Sequence, residues 1–152
     1  MPDSHDIVGA ASLIVGVTGH RMLREAELPA LRARVQSFFL DLRARYPNLP
    51  LVLLSSLAEG SDQLAAQVAI DLGLRVIAPL PIPVELYRVD FESAQPLAAF
   101  ERQLSQAEVL TLPLRGDNSL GQIAVRGAER DQQYAQAGIF ISSHCHILLA
   151  LW

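Results

Sequence analysis

Two short segments of the sequence carry residue types that can hold an anion or a sugar. The first is Gly16-Val17-Thr18-Gly19-His20-Arg21. Its glycines let backbone approach a ligand closely, Thr18 offers a hydroxyl, and Arg21 offers a planar fork that pairs with anions. The three-glycine spacing of the dinucleotide fingerprint is not met. The second is Ser55-Ser56-Leu57-Ala58-Glu59-Gly60-Ser61-Asp62. It sets Gly60 and Ser61 at the amino end of an expected helix, where unpaired N–H groups attract anions. Glu59 and Asp62 flank that end, and two carboxylates repel a phosphate. They suit ribose hydroxyls or helix capping better, and a capping loop without a ligand is the competing reading.

Other candidates are weaker. His144-Cys145-His146 lacks an obvious third ligand, and His and Cys sit readily in cores, so no metal is expected. Ser55-Ser56 lacks the glycines of a nucleophile elbow. Pro79, Pro81 and Pro83 read as a stiff, extended connection, and Leu97, Phe100 and Leu104 read as core. All twelve cations are arginine, and the absence of lysine excludes a Schiff-base enzyme and a lysine-dependent phosphate loop. Sixteen acids leave a net charge of −4, and Arg24, Arg32, Arg34, Arg43 and Arg45 alternate with apolar helix positions. That pattern is a solvated helix face, so nucleic acid is not the expected partner.

These residues need a scaffold, and 152 residues make one domain. The chain is 51% hydrophobic and 18% charged, which excludes a disordered chain. A single cysteine, Cys145, excludes a disulfide framework. No apolar run approaches the ~20 residues of a bilayer span, and residues 1–10 are acidic where a signal peptide would be basic. A cytoplasmic domain without membrane contact is expected.

Residues 12–18 form an apolar, β-branched run, which predicts a strand. From Glu25 to about Tyr46, Leu28, Leu31, Val35, Phe38, Phe39 and Leu42 recur at helical spacing, and Tyr46-Pro47 ends the helix. Leu51–Leu54 predicts a second strand, buried on both faces. A helix through Leu64, Ala65, Val68, Ala69 and Leu72 stops at Gly73. Arg75–Pro79 is a third strand, Tyr87–Phe91 a loop over the site, and a helix follows to about Ala107. Val109–Leu114 is a fourth strand, residues 115–125 a mobile connection, 127–139 a helix, and Cys145–Trp152 a fifth strand. Alternating strands and helices predict an α/β fold: a doubly wound, mostly parallel sheet of about five strands, helices on both faces, Rossmann-like. Ligands of such sheets bind outside the carboxyl ends of the strands, where strand order reverses.

The sequence stops inside the fifth strand, at His146-Ile147-Leu148-Leu149-Ala150-Leu151-Trp152. Truncation after that strand is therefore expected, with residues 1–152 forming the N-terminal part of a longer chain. The uncovered strand also predicts self-association.

The runs Val15–Arg21 and Ser55–Ala65 resemble the SLOG superfamily, the Rossmann-like group of the cytokinin-activating "Lonely guy" proteins and the DNA-processing protein A domain. The second run is similar to the latter's serine-glycine-x-alanine-x-glycine-isoleucine-aspartate motif, with Ser56 where the family has glycine. Pro79-Leu80-Pro81 and Tyr87 fall where the family carries its next loop, and Tyr134–Trp152 looks like its penultimate helix and strand. The resemblance implies a pocket for a nucleotide or nucleotide-derived small molecule, and no resident cofactor. Thr18, Gly19 and Arg21 would approach phosphate, Gly60 and Ser61 would donate backbone N–H groups, Glu59 or Asp62 would contact ribose and Tyr87 would stack on a base, with His20 and Ser56 completing the expected ligand-binding set. Some members hydrolyse nucleoside 5′-monophosphates, using a proline-glycine-glycine-x-glycine-threonine-x-x-glutamate motif absent from these 152 residues. An N-glycosidic phosphoribohydrolase in a longer chain is thus an alternative, as is a single-stranded DNA-binding or interaction module.

Overall fold

The computed structural model describes residues 11–152, so the acidic opening stretch, residues 1–10, lies outside the described residues. Five strands form one open sheet: β1 (Leu13–Gly19), β2 (Leu51–Leu54), β3 (Arg75–Leu80), β4 (Glu108–Thr111) and β5 (Ile147–Leu151). Their order is β4-β3-β2-β1-β5, and every neighbouring pair is parallel. Chain direction across the sheet therefore reverses between β1 and β5. That is where a doubly wound sheet opens a crevice.

Six α-helices flank the sheet: α1 (Leu28–Arg45), α2 (Ser61–Asp71), α3 (Val84–Tyr87), α4 (Ala94–Leu104), α5 (Leu120–Ile123) and α6 (Ala128–His144). The helical stripe read from Leu28 to Leu42 buries Val35, Phe39 and Leu42. Strand residues alternate between faces. A Cβ at Gly16 would lie 2.6 Å from Ile141 Cγ2, so the Gly16 face of β1 meets α6 at close quarters. Val15 and Val17, on the other face, are buried. There α1 and α2 pack on each other, and α2 on β1. β2 is buried at all four positions, as a strand covered on both faces must be.

Several boundaries depart from expectation. The stretch Tyr87–Phe91 is no open loop: α3 and a 3₁₀ turn, Arg88–Asp90, fill it. Residues 115–125 are not a bare connection either. α5 starts there with a capping box, Ser119 Oγ accepting from the Gln122 N–H while the Gln122 side chain accepts from the Ser119 N–H. α4 ends at Leu104, short of Ala107, while α6 runs on to His144 and makes Cys145 its C-cap. His144 and His146 are therefore not alternate residues of one strand. His146 Nδ1 accepts the Ile14 N–H at 3.0 Å, joining the foot of β5 to β1.

Pro79 lies inside β3, opposite Leu110 of β4. Proline is tolerated there because the β2 pairing of β3 ends at Ile77, so no ladder needs its missing N–H. Its carbonyl is instead taken by the Ser56 hydroxyl at 2.7 Å. Arg130 ties the second face together. It is 5% exposed and donates to the Ile123 and Leu86 carbonyls, at 2.5 and 2.9 Å, and to Asp90 Oδ1 at 2.9 Å.

Candidate functional site

The carboxyl ends of β1, β2 and β3 open under α6 into a cleft of about 310 Å³. Thr18, Gly19, Arg21, Ser56, Glu59, Asp62 and Tyr87 all line it. The two segments singled out in the sequence thus meet in space.

The second segment is held rigidly. Ser55 Oγ accepts the Leu57 N–H at 3.2 Å and donates to the Asp62 carbonyl at 3.1 Å. Gln63 Nε2 donates to the Leu57 carbonyl at 3.2 Å, and the Tyr87 hydroxyl to the Ser56 carbonyl at 2.8 Å. These ties sustain Leu57 at φ +57°, fully buried, a conformation that costs an L-residue about 1–2 kcal/mol. Strain of that kind needs a surrounding that over-determines it, and this loop has one.

Asp62 is the electrostatic centre of the cleft. Burial pushes its carboxyl from 3.8 to about 7, against the Ala58 N–H and the Arg21 guanidinium, which favour the ionised form. At neutral pH it can both donate and accept a proton. Tyr87 is pushed well above its usual range by burial and by Asp62, so its hydroxyl stays neutral. Arg21 is exposed at the rim and makes no ion pair with any described residue. Thr18 is exposed as well, and no hydrogen bond occupies its hydroxyl.

Three expected residues stand elsewhere. His20 turns away and meets the Trp152 ring edge-on, with centroids 4.8 Å apart. Gly60 packs on the backbone of His20 and Arg21 and lines a separate groove between helices. Ser61 is 1% exposed. Its N–H and its hydroxyl both donate to the His20 carbonyl at 3.0 Å, and the hydroxyl also reaches the Leu151 carbonyl at 3.4 Å. The donors expected to meet an anion are spent on joining β1, β5 and α2. Ser61→Ala should therefore cost about 1–2 kcal/mol of stability. Thermal unfolding checks it, as a fall of roughly 2–8 °C for a chain of this size.

Tyr87 is also corrected. It is 1% exposed, its ring packed against Phe91, Phe100 and Tyr134, so it presents no face on which a base could stack. It supports the cleft as core.

Sequence reasoning missed the α6 wall. Tyr134, Ala137, Gly138 and Ile141 line the cleft, and the Tyr134 hydroxyl is buried without a partner. The small, buried Ala137 was the available signal, since a helix laid closely over a sheet needs small side chains on its inner face. A second cleft of about 790 Å³ adjoins the first and shares Arg21, Glu59 and Tyr134 with it. Arg126 and Arg130 contribute positive charge there, and Asp90, Glu92 and Asp131 negative. Among the described residues, no group of three or more His, Cys, Asp or Glu could hold a metal, and no helix is long and apolar enough to cross a membrane.

No family model and no curated protein matches the sequence. The fold does match a solved structure, that of DNA processing protein A (DprA) from Streptococcus pneumoniae. The TM-score is 0.57 at 16% identity, covering 91% of this chain and 41% of that one. The parallel five-stranded architecture is therefore shared with a protein of the group that the two sequence segments resemble. At this identity the likeness concerns the fold.

Proposed function

We propose that the chain binds a nucleotide or nucleotide-derived small molecule at the carboxyl edge of its sheet. The observation that carries this reading is the meeting of Thr18, Arg21, Ser56, Glu59 and Asp62 around one cleft at the carboxyl ends of β1, β2 and β3. Arg21 pairs with the anionic group, Thr18 hydrogen-bonds beside it, and Glu59 and Asp62 take sugar hydroxyls. Pro81, Ala137 and Ile141 supply an apolar wall. The carboxylates around Arg21 favour a ligand of low charge over a polyanion.

Arg21→Ala is expected to weaken binding by about 1.5–3 kcal/mol, the worth of a charged hydrogen bond, or roughly 10- to 150-fold. Titration calorimetry with the tightest of a nucleotide panel tests it, and an unchanged Kd removes Arg21 from the site.

A second reading is favoured by the likeness to a DNA processing protein: a single-stranded DNA-binding module. It predicts affinity falling with salt at a slope near −0.7 per neutralised phosphate. A flat salt dependence sinks it. Self-association belongs to the proposal too, because β5 is a sheet edge and its Leu148 is 47% exposed. Light scattering should then give a mass of twice 16.6 kDa or more.

A further inference from the structure

The groove that Gly60 lines is a different place from the cleft under α6. It runs between α1, α2 and α4, holds about 510 Å³, and shares only Arg21 and Glu59 with the cleft. Six of the twelve arginines have a partner: Arg24, Arg75, Arg88, Arg126 and Arg130 pair with carboxylates, and Arg43 with the Leu72 carbonyl. Of the other six, three line this one groove: Arg21, Arg32 and Arg102. Glu59 is its single carboxylate. In a chain of net charge −4, that makes a local concentration of uncompensated positive charge.

Gln103 supplies the second observation. It lines the groove and is 2% exposed. Its amide nitrogen donates to the Gln63 carbonyl at 2.9 Å and to Gln67 Oε1 at 3.4 Å, which fixes the amide's orientation. Its Oε1 is then buried with no donor. The neighbouring Gln63 cannot serve, because its amide nitrogen is spent on the Leu57 and Pro96 carbonyls. A buried acceptor without a donor is costly and is uncommon in native structures, so it calls for a donor from outside the chain. Leu28, Leu64 and Pro96 give the groove an apolar lining.

We propose that this groove is a second ligand site, taking a small polyphosphate ester of the nucleoside triphosphate class. Arg32 and Arg102 meet the phosphates, the apolar lining meets the organic part, and Gln103 Oε1 accepts from a donor on it.

The test is an NMR titration of the ¹⁵N-labelled protein with ATP and, separately, inorganic tripolyphosphate. ATP should shift the side-chain amides of Gln63 and Gln103 and the Arg102 Nε–H saturably, and bind at least tenfold more tightly than tripolyphosphate. The double variant Arg32→Gln/Arg102→Gln should lose at least tenfold in ATP affinity. Both side chains are exposed, so the spectrum outside the groove should stay unchanged and report an intact fold. Shifts confined to the Thr18–Asp62 cleft, or a double variant that binds ATP like the parent, would overturn the site. Equal affinity for the two probes would overturn the role given to Gln103.

Discussion

Asp62→Asn should make the protein more stable at pH 8 and leave it unchanged at pH 4. The Asp62 carboxyl is held at about 7 in the fold against 3.8 when free, because burial penalises its charge. Below pH 4 both folded and unfolded chains carry the proton, and no penalty exists. Between pH 4 and 7 the unfolded chain releases it while the folded chain holds it, so stability falls as pH rises. Above 7 both are ionised and the full cost remains, about 4 kcal/mol at 1.36 kcal/mol per pH unit. Asparagine carries no charge to desolvate and can still accept the Ala58 N–H. Urea unfolding at pH 4, 6 and 8 reads the difference, and equal stability of the two proteins at all three would refute the electrostatic account. A residue that weakens the fold at neutral pH is what a functional carboxyl looks like. Ligand affinity should accordingly show an inflection near pH 7 that Asp62→Asn abolishes.

Gly60→Ala should be strongly destabilising. Gly60 sits at φ +91° and ψ −123°, a region that L-residues rarely enter. A methyl there would lie 2.6 Å from the Arg21 carbonyl carbon, and closer still to the carbonyl oxygens of His20 and Arg21. Those are backbone atoms, so relief requires moving the loop that carries Arg21. Strain and displacement together cost about 3–5 kcal/mol, a Tm lower by roughly 6–20 °C. Gly138→Ala is the contrast: nothing lies within 4 Å of its Cβ position, and inside α6 alanine should add about 0.5–1 kcal/mol. Similar losses in the two variants would mean that the Gly60 contact is not what holds the loops together.

The sequence carried the frame because its signals are local. The β-branched run before Gly19, the stripe from Leu28 to Leu42 and the apolar Leu51–Leu54 each express their own element. Proline at 79 and 81 hid the end of β3, since nothing local says that β2 has already stopped pairing there. The bringing together of Thr18 and Asp62 followed from topology, as loops after parallel strands share one edge. Which way each side chain is committed did not follow. Ser61 and Gly60 have the residue types of an anion cradle, but their donors and space are taken by His20, Arg21 and Leu151, partners up to 90 residues away in sequence. Tyr87 has the residue type of a base platform, yet three rings enclose it. Tyr134, whose hydroxyl has no partner, gave no signal in its own neighbourhood.

The central claim, a nucleotide-type ligand held at Arg21 and Asp62, is most directly tested by thermal unfolding against a panel of nucleoside monophosphates, ADP-ribose, NAD and cyclic dinucleotides. At 100 times its Kd, a true ligand adds about 2.7 kcal/mol, a rise of roughly 5–11 °C in Tm. The account predicts such a rise for at least one panel member and its loss in Arg21→Ala. A panel that leaves Tm unmoved, or a rise that survives Arg21→Ala intact, would contradict it.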